Sequence, residues 1–114
     1  MASWVALGFN GLHPQLRPWA EYLAAVAKYN GISVQITSTL RTASEQRALY
    51  ARYLRGESDL PAAPPGTSSH ELGLAFDVVF GGNYRGPAQE ALGQLWRSWG
   101  GRWAGSVDPV HFTV

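Results

Sequence analysis

Apolar residues recur along this chain with periods that change from helical to alternating and back, and turn formers stand wherever the period breaks. From Pro14 to Tyr29, Leu16, Ala20, Leu23 and Ala27 stand at offsets 0, 4, 7 and 11, the stripe of an amphipathic helix that Asn30-Gly31 stops. A strand is predicted from Ser33 to Ser38. A second helix opens after Thr42, since Thr42 and Glu45 have the spacing of a capping box, and Leu49 and Tyr50 are expected to face inward. Residues 56–67 hold Pro61, Pro64, Pro65 and Gly66 and read as an irregular loop that delivers the chain to Ser68 and edges a groove. Leu74 to Phe80 alternates, which places Leu74, Phe76, Val78 and Phe80 on a core face and Ala75, Asp77 and Val79 on the other. After the turn Gly81-Gly82-Asn83, Pro87 suits the first turn of a third helix ending near Trp99, with Leu92, Leu95, Trp96 and Trp99 inside. Short strands are expected at Arg102 to Ala104 and Val110 to Val114. Helices and strands do not alternate as regular βαβ units. The pattern therefore predicts an α+β fold, one small domain over residues 1–114, with a mainly antiparallel sheet and about three flanking helices.

A few polar residues interrupt that pattern at costly places. Asp77 stands mid-strand between Phe76 and Val78, where an unpaired carboxylate is expensive to bury and a metal would resolve the cost. Gly73 can take a positive φ or admit a close backbone approach, which would let His70 fold back toward Asp77, and Ala75 is small enough to leave room beside the metal. Asp108 and His111, three apart, point to opposite faces of a regular strand, so both reach one site only if the chain turns at Pro109. Two imidazoles and a carboxylate suit a catalytic zinc site with an open fourth position, and the chain has no Cys for a closed structural one. His13, before Pro14, is read as local structure and remains the rival ligand.

Ser68, His70, Gly73, Ala75 and Asp77 match SxHxxGxAxD at every fixed position, and Ile36 to Gln46 looks like the strand, arginine segment and helix start that accompany it. The chain resembles the zinc peptidases that include D-alanyl-D-alanine carboxypeptidases, VanY-type enzymes and phage L-alanyl-D-glutamate endopeptidases, with a Hedgehog/DD-peptidase-like fold. The resemblance runs from roughly Leu12 to Phe112. It implies one zinc ion held by His70, Asp77 and His111, Asp108 as general base, and Arg41 as a catalytic and substrate-binding cation. Ser68 and Gln46 follow as substrate-side polar residues. Asp108 stands where many members carry Glu, and Thr39-Leu40 where Gly-Tyr is common.

Composition narrows the setting. Hydrophobic residues make up 46% and charged residues 15%, the balance of a globular chain, and the net charge of +1 without runs of either sign does not point to nucleic acid. Most of the five Trp are expected in the core, Trp103 among them. No apolar stretch is long enough to span a bilayer, and Met1 to Asn10 lacks the pattern of a secretory signal. The expectation is a monomeric peptidoglycan stem-peptide hydrolase, made in the cytoplasm and released by phage lysis or carried on a virion. L-alanyl-D-glutamate endopeptidase activity is preferred to D-alanyl-D-alanine carboxypeptidase activity, and a non-catalytic zinc-stabilised virion or wall-binding module is the alternative of another class.

Overall fold

Leu16, Ala20, Leu23 and Ala27 lie on one buried side of helix α1 (Arg17–Tyr29), the side that faces the sheet. The computed structural model describes residues 9, 11–58 and 60–114; the expectations for Met1 to Asn10 and for Trp4 fall outside them, Phe9 excepted. The helix begins later than Pro14 because residues 14–16 form a separate turn, in which the His13 carbonyl accepts from both Leu16 N and Arg17 N. Pro18 then occupies the first helical turn, where a missing N–H costs nothing.

Strands β1 (Val34–Ser38), β2 (Ala75–Phe80), β3 (Arg102–Trp103) and β4 (His111–Thr113) form one antiparallel sheet in the order β1-β2-β4-β3. One face carries Phe76, Val78, Phe80 and Phe112, all buried, against α1 and α3 (Pro87–Ser98). Phe76 is its centre: its ring stacks on Phe112 and meets Phe9 and Trp96 edge-on, each at 5.3 Å between centroids. Trp96 and Trp103 are core as expected, whereas Trp19 is 52% exposed. The α+β class, the antiparallel sheet and three helices among the described residues agree with the sequence pattern.

The opposite face of the sheet carries Asp77 and His111 and is overlain by α2 (Ala43–Leu54) and the loop of residues 56–67. Both bonds of the Thr42–Glu45 capping box form, at 3.1 and 2.9 Å. Gly56 ends the helix at φ +73, its N–H donating to Tyr53 O and that of Glu57 to Arg52 O, a Schellman closure. Leu49 and Tyr50, expected to face inward, do not reach the core. Both are half-buried, and the only fully buried residue of α2 is Gln46, because this helix covers the functional side of the sheet and its Leu49 and Tyr53 line a groove. Ala75 sits on the same strand as Asp77, two residues before it. It is fully buried and is not among the residues that line that groove.

Candidate active site

Strand pairing brings the first two site residues together. Asp77 and His111 are direct cross-strand partners at the end of the β2–β4 ladder, so both side chains leave the same face. His70 arrives from a 3₁₀ turn (Ser69–Leu72) whose N-cap is Ser68, its Oγ accepting from His70 N at 3.2 Å. Gly73 closes that turn at φ +71, and a Cβ there would lie 2.9 Å from the Gly11 carbonyl, so both reasons given for a glycine operate at once.

The result is a triangle of potential ligand atoms. His70 Nε2 lies 2.9 Å from Asp77 Oδ1 and 3.2 Å from His111 Nδ1, which lies 3.3 Å from the same Oδ1. A tetrahedral zinc with bonds near 2.0–2.1 Å separates its ligand atoms by about 3.3 Å, so the donor set and its spacing fit that ion with little movement. On its far side, His70 Nδ1 is 2.8 Å from the Thr39 carbonyl. A nitrogen facing a carbonyl carries a proton, so in the neutral ring that would ligate a metal Nε2 keeps a lone pair aimed into the triangle, whereas a charged ring without metal donates from Nε2 to Asp77 Oδ1. Among the described residues no other group of His and acidic side chains converges in this way, and His13 is spent locally, its Nδ1 accepting from Gln15 N.

Arg41 holds the other oxygen of the central carboxylate: Nη2 donates to Asp77 Oδ2 at 2.7 Å, Nε to Ser38 Oγ at 2.8 Å and Nη1 to Gln46 Oε1 at 3.0 Å. Ser38 reaches this position through an irregularity between Ile36 and Ser38, which sets Ser38 and not Thr37 opposite Asp77. Burial alone would raise the Asp77 carboxyl, but hydrogen bonds from His111 and His70 and the charges of His70 and Arg41 outweigh it and hold the group at about 2. Gln46, expected on the substrate, is sealed instead: it has no exposed surface, and its Nε2 donates to the Ala63 carbonyl. It therefore acts through Arg41 and the loop wall. Ser68 lines the groove while capping the His70 turn.

Asp108 follows a second 3₁₀ turn (Gly105–Val107), and the bond from His111 N to its carbonyl, 3.0 Å, closes the bend at Pro109. Its Oδ1 is buried without a hydrogen-bond partner. Burial, reinforced by the charge of Asp77, pushes its carboxyl up to about 6. Asp108, the three potential ligands and Arg41 all line a groove of about 530 Å³, walled by Leu49, Tyr53 and the loop residues Ser58 and Leu60 to Ala63. A second hollow of about 570 Å³ continues beyond Arg41, Leu49 and Asp77 toward Thr37–Leu40.

Sequence reasoning missed Ser38, the Thr39 carbonyl and Gln89. Gln89 had a visible signal, a polar residue in register with Leu92 and Trp96 on the buried stripe of its helix. Nothing in the sequence marks the irregularity that re-aims Ser38.

Fold and site together define a metallopeptidase of the peptidoglycan-acting class. The family model described as VanY, D-alanyl-D-alanine carboxypeptidase, matches residues 10–95, and the chain belongs to that family. The peptidoglycan L-alanyl-D-glutamate endopeptidase CwlK of Bacillus subtilis (strain 168) is 30% identical over 92% of this chain and 74% of its own. Solved folds agree: VanY of a VanB-type resistance cassette, in complex with Zn(II), superposes with a TM-score of 0.67 at 22% identity over 90% of this chain and 71% of its own. The L-Ala D-Glu endopeptidase ChiX of Serratia marcescens gives 0.63 at 20% identity over all of this chain and 88% of its own. The LD-carboxypeptidase LdcB gives 0.67 at 18% identity over 90% of this chain, which spans only 58% of it.

Proposed function

We propose that this chain is a zinc-dependent endopeptidase of peptidoglycan stem peptides, cutting between L-Ala and D-Glu. The observation that carries the proposal is the triangle of His70, Asp77 and His111 with an unpartnered carboxylate oxygen, that of Asp108, in the same groove. Zinc held by those three residues would polarise the scissile carbonyl and lower the pKa of a water to about 7. Asp108 takes the proton from the attacking water and delivers it to the leaving amine, a role that its unpartnered oxygen in the groove is free to fill. Arg41 fixes Asp77 and directs its remaining N–H groups toward the bound peptide.

Two features favour an endopeptidase over the carboxypeptidase of the family description. The hollows extend to both sides of the Arg41–Asp77 pair, which accommodates a chain continuing past the scissile bond. Arg41 is the one Lys or Arg lining them among the described residues, and its charge is already balanced by Asp77 at 2.7 Å. The relationship to CwlK points the same way. A monomer acting in phage lysis or on a virion is the setting proposed for this activity.

Purified peptidoglycan digested with the zinc-loaded protein should release fragments with new D-Glu amino termini. Chelator should abolish their release. Asp108→Ala should lower turnover by at least about a hundredfold while zinc content stays at one per chain. Free D-Ala in place of D-Glu termini identifies a carboxypeptidase, and intact peptidoglycan identifies a zinc-stabilised binding module.

A further inference from the structure

The β2–β4 ladder that sets Asp77 against His111 covers three residue pairs, and one further backbone bond, from Val78 N to Val110 O at 3.1 Å, follows it. Asp108 and Pro109 lie beyond that bond, outside the sheet pairing. A different device spans the gap. The Pro109 carbonyl, buried in the bend, accepts two hydrogen bonds of 2.7 Å, one from Gln89 Nε2 on α3 and one from Trp103 Nε1 on β3. The same Gln89 amide donates to Val78 O at 2.8 Å and accepts from Phe80 N at 2.7 Å. One buried side chain thus ties the strand that carries Asp77 to the bend that carries Asp108.

Neither clamp residue has room to move. Gln89 is 1% exposed with its amide bonded on both sides. The Trp103 ring lies on the α3 backbone at Gly93, where an added Cβ would fall 2.2 Å from it, and Arg97 covers the ring at 4.9 Å while bonding the Trp103 carbonyl. Gln89 and Gly93, one helical turn apart, present the amide and the notch on the same side of α3.

We propose that Gln89 and Trp103 are positioning residues that set Asp108 relative to the metal triad by clamping the Pro109 carbonyl. The inference rests on Asp108 as the base. It predicts a division of labour in which the ladder holds two of the three zinc ligands, Asp77 and His111, and the clamp holds the base.

The test uses zinc-loaded Trp103→Phe, which keeps the ring and drops the N–H, and Gln89→Met, which keeps the length and drops both amide groups. For Trp103→Phe, kcat on purified peptidoglycan should fall about 10–100-fold, the range for lost supporting hydrogen bonds at metal sites, with KM and zinc affinity little changed. In an Asp108→Asn background the same substitution should lower kcat no further. A purely structural role would instead lower activity by the same factor in both backgrounds, or leave kcat per zinc-loaded molecule unchanged, and either result overturns the proposal. Amide exchange gives a readout independent of activity: the His111 N–H, bonded to Asp108 O, should lose protection in both variants while the Phe76 and Phe112 amides keep theirs. Unchanged His111 protection refutes the clamp even if catalysis is absent, whereas full activity of Asp108→Asn refutes the base assignment and this inference with it.

Discussion

Asp77 and Asp108 share one groove yet are driven in opposite directions, and the difference is a matter of partners. Asp77 is as costly to bury as any carboxylate, but both its oxygens are bonded, Oδ1 to two imidazoles and Oδ2 to Arg41, and it settles at about 2. Asp108 has an oxygen with no donor and is pushed up to about 6. The consequences for stability have opposite signs. Asp77, depressed from 3.8, contributes stability that is present above pH 4 and is lost as pH falls toward 2, about 2 kcal/mol in all. Asp108, raised from 3.8, makes the fold bind its proton more tightly than the unfolded chain does, so stability declines as pH rises from 4 through 6. Thermal unfolding of the metal-free protein should therefore show an optimum near pH 4 from these two groups, and Asp108→Asn should remove the decline above it. A profile unchanged by that substitution contradicts the assignment. Asp77 was legible in the sequence as a carboxylate in an apolar strand, and His70 and His111 through the motif that carries the family resemblance. The bonds of Arg41 were not, since they join residues from β1, β2 and α2.

The elements differ in how they are held. α1 and α3 are fixed by apolar stripes against the sheet, which periodicity alone exposed. α2 has a local start signal in Thr42 and Glu45, but its tie to the rest is polar: Gln46 joins Arg41 to the Ala63 carbonyl, and Glu71 takes up Gly66 N at the far end of the loop. Thr42→Ala should cost about 1 kcal/mol, the usual loss of an N-cap, measured by denaturant unfolding. Gln46→Leu has a different signature. It leaves the metal triad untouched and frees the groove wall, so KM for peptidoglycan should rise several-fold with zinc affinity unchanged, and an unchanged KM would show that the loop stands without it. The apolar residues of α2 misled the inward reading of Leu49 and Tyr50 because a groove wall and a core face use the same side chains.

At the scale of the whole molecule the sheet divides labour between its faces. The aromatic side, centred on Phe76, carries the stability, and the polar side carries the chemistry. Phe76→Ala should cost about 3–5 kcal/mol by calorimetry, while the fraction still folded should bind zinc as the parent does. Loss of zinc binding in folded protein would mean that the faces are coupled more tightly than this. While the convergence of His70, Asp77 and His111 was an implication of the family resemblance, the sequence by itself determined the class of fold, three helices among the described residues, the two faces of β2 and the glycine at position 73. Those features follow from local periodicity, turn chemistry and the cost of a carboxylate in an apolar strand, all of which act over a few residues. Only the tertiary structure decided which atoms meet: the irregularity that puts Ser38 beside Arg41, the sealing of Gln46, and the hold of Gln89 and Trp103 on the Pro109 carbonyl. Gln46 and Gln89 reach carbonyls 17 and 20 residues away, acceptors that every residue possesses, and the Arg41–Ser38 bond, though local, depends on a strand irregularity that no sequence pattern marks.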